Sequence, residues 1–200
     1  MRIFTFFILL LPVLGRAEAL RIGDVLLQPK NCYLCRLIEE HESSSFSHMG
    51  IVIKGGKHPQ IAESLGDVHV IPLEKFIQQG DLTRPLKVIR LKEKAFLPLR
   101  DGIITWLGAE YDDEFLWDNF DDQGRERVYC SEFITKLLNP YLQNKIPTKI
   151  MDYTQNREAW WRYFNGNVPD GFEGNSPGDF EKSQLFNAIG VYQDGRWIWN

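Results

Sequence analysis

The sequence has no apolar stretch long enough to cross a membrane, no excess of positive charge, and only three cysteines in 200 residues. A spanning helix needs about 20 predominantly apolar residues, and the run from Ile3 to Leu14 stops well short of that. With 23 Lys and Arg against 27 Asp and Glu, the formal net charge is −4, spread evenly along the chain. Phosphate binding needs clustered Lys and Arg, so no nucleic-acid partner is expected. Internal repeats and low-complexity tracts are also missing, which leaves a single globular domain as the expected organisation.

What is present begins with a core, since 44% of residues are hydrophobic and 13% aromatic. Arg2, the apolar run and the small residues of Ala17-Glu18-Ala19 are the three parts of a secretory signal peptide. Residues 1–19 are therefore expected to be removed, and 20–200 to form one exported domain, periplasmic or secreted, with no membrane span. Export changes how the cysteines read, because an oxidising compartment favours disulfides. Cys32 and Cys35 form a C-x-x-C pair able to close on itself, and Cys130 is left over.

Alternation and punctuation predict the strands 22–28, 47–53, 60–64, 68–71 and 86–91. Helices are predicted from Cys32 through Glu42 with Asn31 as cap, over 72–79, from Pro98 through Leu107 with Ile103, Ile104 and Leu107 inward, and over 157–164. From Tyr111 to Arg127 the chain reads as an acidic, aromatic loop. Phe115, Trp117 and Phe120 are there candidates for one wall of a cleft. A helix then opens at Cys130, its apolar Phe133, Ile134, Leu137 and Leu138 falling 3, 4, 7 and 8 residues on. The chain closes on a hairpin around Asp194-Gly195.

A thiol attacks as thiolate, and the first turn of a helix favours that charge through its unpaired N–H groups and its dipole. Cys130 stands there, and the same N–H groups, its own included, can hold the oxyanion of a tetrahedral intermediate. A depressed thiol pKa is the expectation; a buried structural cysteine is the alternative.

Such a thiol needs a base, and the base a partner that orients it. Of four histidines, His41 falls on the polar side of its helix and His58 beside a turn, so both read as solvated. His48 heads a strand, sharing a face with Gly50 and Val52. Folding the hairpin symmetrically about Lys54-Gly55-Gly56-Lys57 pairs Ile53 with His58 and His48 directly with Glu63. Paired side chains stand about 4.5–5.5 Å apart at Cβ, within reach of a hydrogen bond. The alternative is a surface His–Glu pair.

Three blocks in this order resemble a known family: Gly23-Asp24-Val25-Leu26, Ser47-His48-Met49-Gly50-Ile51-Val52 and Val128-Tyr129-Cys130-Ser131-Glu132-Phe133. Gly108 to Asp112 and Ser176-Pro177-Gly178-Asp179 add to them. Together they are similar to the permuted papain-like amidases of the YaeF/YiiX type, relatives of NlpC-like peptidases. The resemblance implies an α+β, circularly permuted papain-like fold: an antiparallel sheet or small barrel against helices, with the nucleophile at a helix N-terminus. It implies Cys130 as nucleophile, His48 as base, Glu63 as third polar residue and Tyr111 as a donor to the oxyanion. It implies hydrolysis of an amide, or a related ester or thioester, without metal or organic cofactor. The substrate would be an amide-containing peptide or an N-acyl, lipid-like molecule, of cell-envelope origin if the chain is exported.

Two other functions compete with this. Cys32-Tyr33-Leu34-Cys35 lies outside the family pattern and starts a helix after a strand, the setting of a thiol–disulfide oxidoreductase as well as of a structural disulfide. A catalytically silent domain that keeps the cleft for cell-wall peptide or lipid is the other.

Overall fold

A computed structural model describes residues 20–95 and 97–200; the signal-peptide expectation for 1–19 lies outside the described residues. The elements run β1 (Val25–Gln28), α1 (Tyr33–Glu42), β2 (His48–Lys54), β3 (Gln60–Leu65), β4 (Asp67–Pro72), α2 (Leu73–Gln78), β5 (Leu86–Leu91) and α3 (Leu99–Gly102). There follow β6 (Asn119–Phe120), β7 (Glu126–Arg127), α4 (Cys130–Leu138), β8 (Lys149–Ile150), α5 (Arg157–Tyr163), β9 (Glu173–Gly174), α6 (Pro177–Lys182), β10 (Phe186–Gln193) and β11 (Arg196–Trp199).

Seven strands form one antiparallel sheet in the order β11-β10-β5-β1-β2-β3-β4, so β11 and β4 are its edges and it does not close into a barrel. Alternation sorts the central strands into two faces. Val25, Leu27, Met49, Ile51 and Ala62 pack with Phe133, Ile134 and Leu137 of α4. Leu26, Val52, Ile61 and Val88 pack on the other side against Phe76 of α2. The pattern is thus α+β, with α4 laid across the sheet. A third, separate cluster joins Leu37 of α1 to Met151, Tyr153, Trp160 and Phe164.

The Gly-Asp start is a structural device. Buried Asp24 receives Arg90 of β5 at 2.7 and 2.9 Å and the Arg21 N–H at 2.7 Å, tying the turn before β1 to its neighbour strand. Ser176-Pro177-Gly178-Asp179 is a helix cap: the Ser176 side chain accepts the Asp179 N–H, and Asp179 accepts the Ser176 N–H in return.

Several expectations need correction. Cys32, not Asn31, caps α1, its sulfur accepting the Cys35 N–H. The helix expected through Leu107 runs only over Leu99–Gly102, followed by a 3-10 turn at Ile103–Thr105. Ile103 is buried, but Ile104 and Leu107 are 65% and 50% exposed, because so short a segment has one inward row. Residues 111–127 are ordered around Asp112. That buried carboxylate accepts the N–H groups of Glu114 and Leu116 and the Asn119 side-chain amide.

Candidate active site

Cys130 opens α4 after Tyr129, with its sulfur buried. The preceding turn is held by the Val128 N–H on the Glu110 carbonyl, 3.1 Å, and by the Ser64 hydroxyl on the Val128 carbonyl, 2.6 Å. The helix start is thereby fixed to β3, and the backbone N–H groups of Met49, the residue after His48, and of Ser131 favour negative charge on the sulfur.

His48 and Glu63 meet at 2.6 Å, Nε2 to Oε2, both buried. The route differs from the expected one. Ile51 pairs with Ala62 and Val52 with Ile61, and a bulge follows before Lys54 pairs with Gln60. Carried on, that register sets Gly50 across from Glu63, so the direct His48–Glu63 pairing is incorrect. A shift of two residues preserves the face, as a shift of one would not. The two side chains therefore meet diagonally, past a glycine. A Cβ on Gly50 would lie 2.6 Å from Ile61 and 2.7 Å from the Phe76 ring. Phe76 in turn stacks on the His48 imidazole, ring centres 5.9 Å apart.

Burial drives His48 below the ordinary imidazole pKa, against the pull of Glu63. Burial opposes ionisation of Glu63, but the hydrogen bond and charge of His48, with His69 and Lys30, outweigh it and hold the carboxyl below its usual value. The compatible state is ionised Glu63 accepting from neutral His48, protonated on Nε2; Nδ1 is then the lone pair free to accept a proton. The Cys130 thiol is pushed up to about 12 by burial, with Glu63 adding to the effect and the two N–H groups and Lys30 opposing it. The expected depressed thiol pKa is not what the structure has, because the desolvation of this site exceeds what the helix start supplies.

Tyr111 lines the same cleft as Cys130, and its phenol keeps its proton well above the ordinary range through burial, with Cys130 the next contributor. The cleft is also lined by Ile38, Phe115, Met151, Tyr153 and Trp160. Of the three loop aromatics expected to form a wall, Phe115 does; Trp117 lies under the Lys136 ammonium, 4.7 Å from its ring centre, and Phe120 is exposed.

Some site residues escaped the sequence reading. His41 is not solvated: it stacks on Tyr153, ring centres 5.2 Å apart, and lines the cleft. Asn175 closes the far side, its N–H on the Tyr129 hydroxyl and its side-chain amide on Thr135. His69 stands directly across from Glu63 in the β3–β4 hairpin, which turns at Gly66. The symmetric turn Leu65-Gly66-Asp67 was the signal that could have found it.

Cys32 and Cys35 sulfurs are 2.12 Å apart, bonding distance, at the start of α1. Among the described residues, Asp118, Glu126 and Glu132 bring carboxylate oxygens within 4.8 Å of one another. The Lys136 ammonium already stands among them, 2.6 Å from Asp118, 2.8 Å from Glu132 and bonded to Glu126. A cation of the protein's own fills that centre, so the cluster does not fit a metal ion.

Residues 19–189 match the family model described as "Permuted papain-like amidase enzyme, YaeF/YiiX, C92 family". Over 120 residues the chain is 27% identical to the uncharacterized protein YiiX of Escherichia coli K12, covering 58% of this chain. The match spans about half of that relative's length, 55%. The crystal structure titled "metalloprotein yiiX from Escherichia coli O157:H7, DUF1105" has the same fold, with a TM-score of 0.75 at 21% identity, over 86% of this chain and 98% of that one.

Proposed function

We propose, from the premise that this chain belongs to the YaeF/YiiX family of permuted papain-like amidases, that it is an exported hydrolase working through an acyl-enzyme on Cys130. Membership makes it a cysteine hydrolase of the amidase or peptidase kind. The residues, the route and the compartment are our reading. The observation that carries it is the buried 2.6 Å His48–Glu63 bond beside Met49, whose backbone N–H favours the Cys130 thiolate.

In this reading the Cys130 proton passes to His48 Nδ1 as the sulfur attacks the carbonyl carbon of an amide, or of a related ester or thioester. General-base removal suits a thiol that burial keeps protonated. The N–H groups at the start of α4 and the Tyr111 phenol take the developing oxyanion. Glu63 steadies the imidazolium, which returns its proton to the leaving nitrogen as the carbon–nitrogen bond breaks. Water then attacks the thioester, giving its proton to His48, and the acid leaves with the thiol restored.

The aromatic lining of the cleft supports a substrate that presents an apolar acyl portion to Cys130, from a peptide or an N-acyl molecule. The E. coli structure is titled a metalloprotein; here the acidic trio is closed by Lys136, and no step is routed through a metal. Export rests on the apolar run and Ala17-Glu18-Ala19, with the family match beginning at residue 19.

The test is an activated ester, p-nitrophenyl acetate, with intact-mass detection. We expect a burst of nitrophenolate and one acetyl group on Cys130, slowed about 100- to 10,000-fold by His48→Ala. Equal turnover by Cys130→Ala would overturn the reading.

A further inference from the structure

Glu63 is contacted by two imidazoles, not one. Its Oε2 meets His48, and its Oε1 lies 3.2 Å from Nε2 of His69. The second approach is close enough for charge pairing but off the line of a hydrogen bond, and Oε1 has no donor aligned on it. His69 is itself anchored on the other side. Its Nδ1 lies 2.8 Å from the Asp67 carboxylate and 3.1 Å from the Asp67 carbonyl, both of β4. The four residues thus run in a row across one sheet edge, from buried His48 and Glu63 to His69, 30% exposed, and Asp67, 56% exposed.

We infer that His69 is a positioning residue for the Cys130 chemistry, holding the Glu63 carboxylate from the solvent side while Glu63 holds His48. This rests on the functional reading above and goes beyond it. Glu63 stands directly across from His69 in a tight hairpin, so the two Cβ atoms share a face by construction. A buried carboxylate with a free oxygen can rotate, and rotation would take Oε2 off the imidazole. With Nδ1 on Asp67, a ring that also carries a proton on Nε2 faces a carboxylate on each side, and a small turn of either side chain brings Nε2–H onto Oε1. His69 then fixes the rotation of Glu63 and takes up part of its negative charge, leaving less to draw protons onto His48.

Among the described residues, few charged groups face this row. Lys30, at the end of β1, lies in the field of both Glu63 and His48, and Cys130 of α4 in that of Glu63. Asp67 completes the set on β4, where it also forms a backbone bridge to Glu110. Only His69 and Asp67 among these connect Glu63 to bulk water through side chains in contact.

The experiment follows the His48 imidazole by heteronuclear NMR across pH in the wild type, His69→Gln and Asp67→Asn, with thermal melts of each. His69→Gln retains a neutral amide of similar reach and serves where His69→Ala does not fold. His69 beside Glu63 works against protonation of His48, so in His69→Gln the His48 titration midpoint should rise by about half a pH unit or more. The acid limb of p-nitrophenyl acetate hydrolysis should rise with it, and Asp67→Asn should move both in the same direction by less. A folded His69→Gln protein whose His48 midpoint equals or falls below that of the wild type overturns the inference. The NMR titration does not depend on turnover: a protein that never acylates Cys130 sinks the hydrolase reading, while a raised His48 midpoint still upholds the His69–Glu63 coupling.

Discussion

Ile51 pairs with Ala62, which puts Gly50 and not His48 across from Glu63, and the imidazole reaches the carboxylate diagonally at 2.6 Å over the space that Gly50 leaves open. The same space admits the edge of Phe76, on which His48 stacks. Gly50→Ala should therefore force Phe76 or Ile61 aside. Overpacking of this kind costs about 1–3 kcal/mol, read as a lower denaturation midpoint. Acylation should fall as well, since Phe76 is what the His48 ring rests on; a variant with wild-type stability and rate would refute this account of the glycine.

The titration of Cys130 separates a general-base site from a preformed ion pair. Burial holds the thiol up at about 12 and holds His48 below its ordinary value. Alkylation by iodoacetamide in the free protein should accordingly be slower at neutral pH than for an exposed cysteine, and still rising above pH 9. Substrate acylation should persist to pH values below the usual imidazole range near 6.5, because His48 stays neutral there. An alkylation rate already level at pH 6 would mean a thiolate–imidazolium pair instead.

Glu132 gives a pH dependence of stability. Burial pushes its carboxyl up to about 7, against the attraction of Lys136. A raised carboxyl favours the folded state most when protonated, so its contribution is full below the unfolded value near 4.5 and is lost as pH rises through 7. Between pH 4.5 and 8, Glu132→Gln should gain on the wild type by on the order of 3 kcal/mol. His48 acts oppositely, its contribution being present above about 6.5 and lost on acidification, and both proteins share it. The difference between the two urea-unfolding curves isolates Glu132; a constant difference across this range would contradict the assignment.

The C-x-x-C pair closes a loop of two intervening residues and caps α1. Loop-entropy arithmetic for so short a ring gives about 2 kcal/mol. Cys32→Ser with Cys35→Ser should lose that much stability and keep acylation at Cys130. Loss of acylation in a folded double variant would instead give the pair a part in the chemistry.

Much of the fold was legible because its signals were local. Alternation marks β2 through β5, and the Asp194-Gly195 turn marks the β10–β11 hairpin. The cysteine and the histidine were read from position on an element, and the glutamate from a hairpin register two residues off, which left it on the same face. Register was not, since it turns on a bulge at the β2 end that no side-chain pattern announces. Nor was the thiol's desolvation, which comes from the core between the sheet and α4, nor the placement of His41, which arises from packing between α1 and α5, segments more than a hundred residues apart. The helix expected through Leu107 failed for a related reason: its apolar residues were counted without knowing that only one row has a partner.

The aromatic cluster of α1 and α5 packs apart from the sheet that carries His48 and Glu63 and from α4, which carries Cys130. The cleft runs along the seam between them. In the proposed hydrolase, bond cleavage and molecular selection would thereby fall to different blocks of chain: replacing the rings at 153 or 160 would redraw what fits while Cys130, His48 and Glu63 stay as they are. A lineage with this layout can change its diet without reinventing its knife.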